Sequence, residues 1–549
     1  MMNIAHLLHT QVIQRGTQVA IFDTKFGQDR TLTFADLELE AAQLAALLRR
    51  EGLTAGDTIL VFHPMSAELY VTLLAIFRLG LVAMFLDPAL GKGHIEQCCG
   101  LHQPKALIAS AKAHLLRLTS AAVRRIPHKF VVDYPVPGAV WCQTRTYLTP
   151  DETIHSCDPD TPALLTFTSG STGQPKAALR THGFLSAQHR VLSKSLSLEP
   201  DTVDVSTMPI MTLANLASGV TSLIPNVDLR FPGKIKPDRV VRQMGHYQAE
   251  SIIASPAFLV KIAQYCQQQQ VKLEYLQRIF TGGAPVFPHL LDQLRDIAPK
   301  AQVSAVYGST EAEPMAKLTR QQMQTPDMQA MVQGQGLLTG EPVSDIQLKI
   351  LKNQWGKPVG PYTAEIFAHD CCPAGEHGEI VVQGGHVLPG YLYGQGDEET
   401  KFTVDGTIWH RTGDAGYLDE QGRLWLLGRC TAQVKDQRGM LYPFAVECAL
   451  AQDPAIHRAA FVSYQKRRLL AVELQDANIE PDWTTLKQQI AWAHIDQILV
   501  LKQIPVDKRH NAKVDYPGLH QLLTKQDRKL AYSLTRDKHR KSLVTNSQI

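Results

Sequence analysis

Within the stretch TFTSGSTGQPKAAL, the residues from Thr168 to Lys176 combine four hydroxyl side chains, two glycines and a lysine. The apolar runs LLTFT before them and KAALRTHG after them read as strands, so the polar residues form the turn between. Such a turn offers several backbone N–H groups and hydroxyl donors to a single anion, and Lys176 adds a full charge. Glycines at 170 and 173 let the backbone approach closely and adopt positive φ. This is chemistry for cradling a phosphate chain. The turn is not the nucleotide P-loop, because GxxxxGK[ST] is absent and Pro175 precedes the lysine. No GxGxxG follows a strand, so it is not a dinucleotide loop either.

The chain around this turn is long enough for more than one domain. Of its 549 residues 44% are hydrophobic and 19% charged, which leaves ample core. A formal charge of +3 gives no general polyanion-binding face, and no nucleic-acid partner is expected. Nine cysteines without CxxC spacing suit a reducing compartment. Cys371 and Cys372 stand near His369 and His377, but neighbouring cysteines seldom share one zinc ion. The opening MMNIAHLLHTQVIQRG lacks the marks of a secretory leader, so a cytoplasmic location is expected. The most apolar segment, 69–88, is interrupted by Arg78 and Gly80. It reads as a helix feeding a buried strand, not a membrane span, with peripheral membrane contact left open.

Alternation of helix and strand patterns sets the fold class. LTFADLELEAAQLAALLRREG is an amphipathic helix ended by Gly52, and TILVFHP is a buried strand. DRVVRQMGHYQAESIIASPA and HLLDQLRDIAPKAQVSAVYGST repeat the idea. The expected fold is α/β: a large N-terminal domain of parallel-rich sheets covered by helices, with ligands beyond the C-terminal strand ends. From 334 to 430 the shorter runs IQLKIL, GEIVVQG and RLWLLGR indicate an antiparallel subdomain. A small α+β domain follows, with PFAVECALAQDP and DWTTLKQQIAWAH as helices and RAAFVSY and LLAVELQ as a strand pair. The domain boundaries expected are 1–429, 430–520 and a basic, flexible tail over 521–549.

TFTSGSTGQPKAAL resembles the signature loop of the adenylate-forming (AMP-binding) superfamily, which includes acyl-CoA synthetases, luciferases and peptide-synthetase adenylation domains. Further stretches fall in that family's order: TGGAP, YGSTE, WHRTGD, the GR at 428–429, and IPVDKRHNAKVDYPG. The resemblance runs to about residue 519. It implies that Thr168, Ser169, Gly170, Ser171, Thr172, Gly173 and Lys176 cradle the β- and γ-phosphates of ATP. Gly282, Gly283, Ala284 and Pro285 would face adenine, and Tyr307, with Gly308 beside it, would line adenine and the acyl group. Thr310 would touch the α-phosphate and Glu311 would hold Mg²⁺, a hard cation that takes oxygen ligands. Asp414 and Arg429 would grip the ribose. Lys513 would be the catalytic lysine, bridging the substrate carboxylate and the α-phosphate as negative charge builds there. In the implied reaction a carboxylic acid attacks the α-phosphorus, pyrophosphate leaves and an acyl-AMP forms. The C-terminal domain is then a mobile lid that turns after Arg429 for a second step. KVDY also resembles the KxDG site of nucleic-acid ligases, but Tyr516 replaces the required glycine and too little chain follows.

Departures from ordinary acyl-CoA synthetases narrow the branch. Within 208–225, where many relatives show an aromatic or His gate to a thiol tunnel, Thr212 or a neighbour stands. Thr431 occupies the hinge position, and the spacing from Arg429 to Gly439 is longer than usual. With QGQGLLTGEPVSDIQLKIL and VDKRHNAK, these features look most like the branch of olefin β-lactone synthetases and fatty-acid–CoA ligase-like enzymes. The substrate implied is a fatty or β-hydroxy fatty acid, with transfer to CoA or an acyl carrier protein, or lactone closure, as the second step. One alternative is an enzyme loading an amino or aryl acid, for which ANLASG supplies no Asp. Another is a non-catalytic nucleotide-binding relative, against which Lys176, Glu311, Asp414 and Lys513 argue.

Overall fold

Thr33 starts the helix Phe34–Arg50: its hydroxyl accepts from Asp36 N, while the Asp36 carboxylate accepts from Thr33 N. Leu37, Ala41, Leu44, Ala45 and Leu48 line its buried face. The strand Thr58–Phe62 that follows is buried at every position, which is why its sequence is continuously apolar. The segment around Arg78 resolves the same way. Helix Ala67–Arg78 is buried along its whole length and feeds the strand Val82–Phe85. The Arg78 guanidinium is paired with Glu38 and donates to Asp151 O. Among the described residues no helix is long and apolar enough to cross a membrane.

The computed structural model describes residues 3–87, 91–169, 175–476, 481–507 and 513–525. The chain divides into two compact units, Met1–Gln324 with Leu338–Leu426, and Thr325–Leu337 with Leu427–Ile549. The first unit is built on two sheets. Seven strands form one in the spatial order Val140–Trp141, His128–Val131, Ala106–Ala109, Thr58–Phe62, Val82–Phe85, Pro162–Ser169, Pro175–Thr181. All its neighbours are parallel except the last pair, the hairpin that carries Lys176. In the larger sheet, parallel strands Thr221–Leu223, Val203–Ser206, Ser251–Ala254, Arg278–Gly282 and Gln302–Ser309 lie side by side. Ala312–Thr319 turns back antiparallel to Gln302–Ser309. The antiparallel strands expected over 334–430 continue this sheet beyond that turn.

The second unit has its own core. Ile456–Tyr464 pairs antiparallel with Arg467–Leu474, which pairs parallel with Gln497–Leu501. Helices Pro443–Leu450 and Trp483–Gln489 cover this sheet, with Val446, Leu450, Phe461, Leu470 and Leu486 buried between them. The helix Thr325–Val332 belongs to this unit, not to the strands that flank it in sequence. Trp492 lies directly against Gly334 just after it, at a point where a side chain would collide with the indole. Residues 516–525 are helical, so helix covers Gln521 to Lys525, where the sequence suggested the start of a flexible tail.

Strand Thr407–Leu418 carries Asp414 and is locked by a buried ion pair. Arg411 donates through Nε and Nη2 to both Glu379 oxygens, at 2.6 to 3.1 Å, with the two side chains 1% and 0% exposed. Its Nη1 donates to Lys357 O, and its plane lies 5.1 Å from the Trp355 ring centre. Removing one charge of such a pair strands the other. Glu379→Gln is expected to lower unfolding stability by about 3–5 kcal/mol, measured by chemical denaturation.

Candidate active site

Thr168 and Lys176 face each other across the hairpin Pro162–Ser169/Pro175–Thr181. Gly170, Ser171, Thr172 and Gly173, assigned to the phosphate cradle, lie outside the described residues, as do the side chains of Thr168 and Ser169. Lys176 is buried. Its Nζ donates to Glu399 Oε2 at 2.9 Å and lies 5.7 Å from the Tyr391 ring centre. Four residues along, Arg180 reaches the other sheet. Its Nη2 donates to Thr310 O at 2.8 Å, tying the hairpin to the YGSTE turn.

That turn connects Gln302–Ser309 to Ala312–Thr319, and Tyr307, Gly308, Thr310 and Glu311 are all half-buried along it. Tyr307 OH donates to Asp414 Oδ2 at 2.7 Å, bringing WHRTGD against YGSTE. TGGAP ends the neighbouring strand, Arg278–Gly282. Gly282 pairs with Val306, and a Cβ on Gly282 would stand 2.5 Å from Val306 O, so only glycine permits this approach. Gly283 follows at φ +81°, and Gly283, Ala284 and Pro285 are half-buried. Four of the six motifs therefore gather at one end of the first unit.

Glu311 Oε1 accepts from Tyr391 OH at 2.7 Å. Burial opposes its charge, but that hydrogen bond and its charged surroundings hold the carboxyl below its ordinary range. Burial, aided by Lys401, pushes neighbouring His410 down to about 3. The imidazole is therefore neutral near pH 7, and Lys401 supplies the positive charge beside Glu311. Burial also pulls Lys401 itself down to about 8. Its Nζ donates to Leu388 O and lies 3.1 Å from His410 Nδ1. An ionised carboxylate supplies the hard oxygen donor that a divalent cation takes. Among the described residues no cluster of three or more potential ligands exists, so such a cation would complete its shell with phosphate oxygens and water.

The motif reading gives no role to Arg180 or His410, although they stand in KAALRTHG and WHRTGD, and it does not include Tyr391, Glu399 or Lys401. Lys401 and His410 face each other across the antiparallel pair Lys401–Val404/Thr407–Leu418, a register that no local pattern announces. Beside the helix Pro209–Ser218, a small apolar cavity of about 20 Å³ is lined by Ile4, Leu8, Phe77, Leu185, Ile210 and Leu213 among others. Thr212, on the same helix, is wholly buried.

Arg429 and Lys513 lie in the second unit. Lys513 is exposed; its N–H donates to Asp507 Oδ1 at 3.0 Å, and its carbonyl accepts from Asp507 N at 2.9 Å. Three residues on, Tyr516 OH donates to Glu447 Oε1 at 2.7 Å, and Phe461 N donates to the same oxygen at 3.1 Å. Burial pushes the Glu447 carboxyl from 4.5 up to about 7, against the pull of those two bonds and of Arg458. Between these values the unfolded chain releases the proton and the folded chain keeps it, so stability falls as pH rises through the window. The loss is on the order of 3 kcal/mol by pH 8. Glu447→Gln is expected to remove that part of the pH dependence, read as the difference in denaturation midpoint between pH 5 and pH 8.

Residues 8–392 match the family model for AMP-binding enzymes. The olefin beta-lactone synthetase of Xanthomonas campestris pv. campestris is 29% identical, over 93% of this chain and 96% of its own length. 4-Coumarate-CoA ligase 1 of Narcissus pseudonarcissus is 24% identical, over 79% of this chain and 77% of its own. Among solved structures, the amide bond synthetase McbA from Marinactinospora thermotolerans superposes with a TM-score of 0.77 at 20% identity, covering 94% of this chain and 99% of that one. ATP-bound MatB from Rhodopseudomonas palustris gives 0.76 at 19%, covering 95% and 99%. With the family model spanning more than half of its length, the chain belongs to the AMP-binding, adenylate-forming enzymes.

Proposed function

We propose that the protein activates a fatty or β-hydroxy fatty acid as its acyl-AMP, using ATP and Mg²⁺ and releasing pyrophosphate. One observation carries the reading: Lys176 of the hairpin and Glu311 of the YGSTE turn meet at the Tyr391 side chain, while Tyr307, four residues before Glu311, hydrogen-bonds Asp414 of WHRTGD. In this reaction a carboxylate oxygen bonds to the α-phosphorus as the bond to the β-phosphate oxygen breaks. Lys176 and the 168–173 turn hold the leaving phosphates, Tyr307 lines the adenine and acyl positions, and Asp414 with Arg429 holds the ribose. Mg²⁺ at Glu311 supplies charge neutralisation of the phosphates. The second unit acts as the lid that excludes water from the mixed anhydride and delivers Lys513 to the reacting oxygens.

For the second step we infer lactone closure: the β-hydroxyl oxygen attacks the acyl carbon, AMP leaves, and the hydroxyl proton is released. The likeness to olefin beta-lactone synthetases over nearly the whole chain supports it. The likeness to CoA ligases supports the alternative, transfer to CoA or a carrier thiol.

Acid-dependent ATP–pyrophosphate exchange across a panel of carboxylic acids tests the first step. Exchange is expected with long-chain acids, and exchange with none of the panel overturns the reading in favour of a non-catalytic relative. Exchange confined to amino or aryl acids would mark a loading enzyme instead. Lys513→Ala should slow exchange roughly 10²–10³-fold, as loss of a transition-state charge partner does. Mass spectrometry of a β-hydroxy acid reaction without thiol should show the acid less one water together with AMP. A product that forms only with CoA assigns thioester transfer instead.

A further inference from the structure

Lys176 is not open to solvent but lies under the segment 390–400. Gly396 rests on its stem: a Cβ there would stand 2.6 Å from both Cδ and Cε of the lysine, and Gly396 sits at φ +102°. Asp397 closes the segment on itself, accepting Tyr391 N at 2.9 Å. Two residues later Glu399 Oε2 takes the Lys176 ammonium at 2.9 Å. The pair is lopsided. The lysine side chain is 11% exposed and the glutamate 42%. The cation is thus fixed by packing and by the Tyr391 ring, while the anion is a hydrated group that reaches in from the surface.

We propose that Glu399 is a resident counter-ion that the terminal phosphates of a nucleotide must displace from Lys176, so that it sets the enzyme's preference among nucleotides by their phosphate tails. The proposal rests on reading Lys176 as a phosphate ligand. A half-exposed carboxylate bound to an ammonium is held weakly, so the exchange is cheap. A phosphate tail carries more charge than a carboxylate and brings several acceptor oxygens, so it wins the lysine. Once displaced, Glu399 still lies within a few ångströms of the tail and repels it. Nucleotides that end at the α-phosphate do not reach Lys176 and feel little of this. The carboxylate therefore weakens binding of ATP selectively and leaves AMP, a product of the complete reaction, unaffected.

Isothermal titration of the full-length protein with Mg·ATP and, separately, with AMP tests this. Glu399→Gln, a substitution at an exposed side chain, is expected to tighten ATP binding roughly threefold to fivefold and to leave AMP within twofold. Weaker ATP binding in the variant would mean that Glu399 orients Lys176, and overturns the proposal. So would equal changes for ATP and AMP, or no change for either. Lys176→Met, measured alongside, should weaken ATP and spare AMP. If it spares both, the reading of Lys176 fails, whatever Glu399 does. If the unaltered protein binds neither nucleotide, the nucleotide site itself is misassigned.

Discussion

The guanidinium of Arg180 is the bond on which the site depends. On the proposed reading a triphosphate would lie between Lys176 and a metal at Glu311. Lys176 comes from the seven-stranded sheet and Glu311 from the larger one. Arg180 spans the gap, donating to the backbone carbonyl of Thr310 while its plane lies 5.8 Å from the Phe184 ring centre. A contact to a carbonyl fixes the turn without consuming the carboxylate beside it. The 390–401 segment ties the same two sheets a second time, through Ala178↔Tyr391 pairing on one side and Tyr391 with Glu311 on the other.

Motifs that act through backbone conformation were legible from residue type. Gly282 and Gly283 are glycines because one meets Val306 O and the other takes positive φ, and both requirements are local. The α/β alternation was legible for a related reason: buried parallel strands must be continuously apolar and their helices amphipathic. Arg180, Tyr391, Lys401 and His410 were not legible. Arg180 and Tyr391 act through partners 130 and 80 residues away, while Lys401 and His410 stand 9 residues apart but face each other only through the register of their hairpin, which a lone lysine or histidine does not mark. The helix Thr325–Val332 packs against the helix Pro443–Leu450, over a hundred residues downstream, so no local pattern assigns it to the second unit.

The second unit is held by charge as well as by its apolar core. Arg438 and Arg468 share Asp436, and Arg438 also pairs with Asp496, which accepts from Arg468 N. Each acid bridges two segments, so the hairpin Val434–Asp436/Gly439–Leu441, the sheet and the 494–497 turn are fastened together. Asp507 and Lys513 exchange two backbone-anchored hydrogen bonds, and three residues on Tyr516 is fastened to Glu447 of the helix Pro443–Leu450.

The charges at the resting site come close to balance without any ligand. Lys176 is matched by Glu399, Lys401 faces Glu311, and Arg411 is matched by Glu379. Such a site offers no large excess of positive charge to draw in a nucleotide from a distance. On the roles proposed for Lys176 and Glu311, its attraction would be short-ranged: a phosphate exchanged for the carboxylate at Lys176, and a metal taken at Glu311. A tetra-anion entering a nearly neutral site must bring its own cation, which is the physical reason to expect that the metal arrives with the nucleotide and is not held beforehand. Among the described residues no group of three or more His, Cys, Asp or Glu side chains gathers to hold a metal, which accords with a cation that brings phosphate ligands of its own.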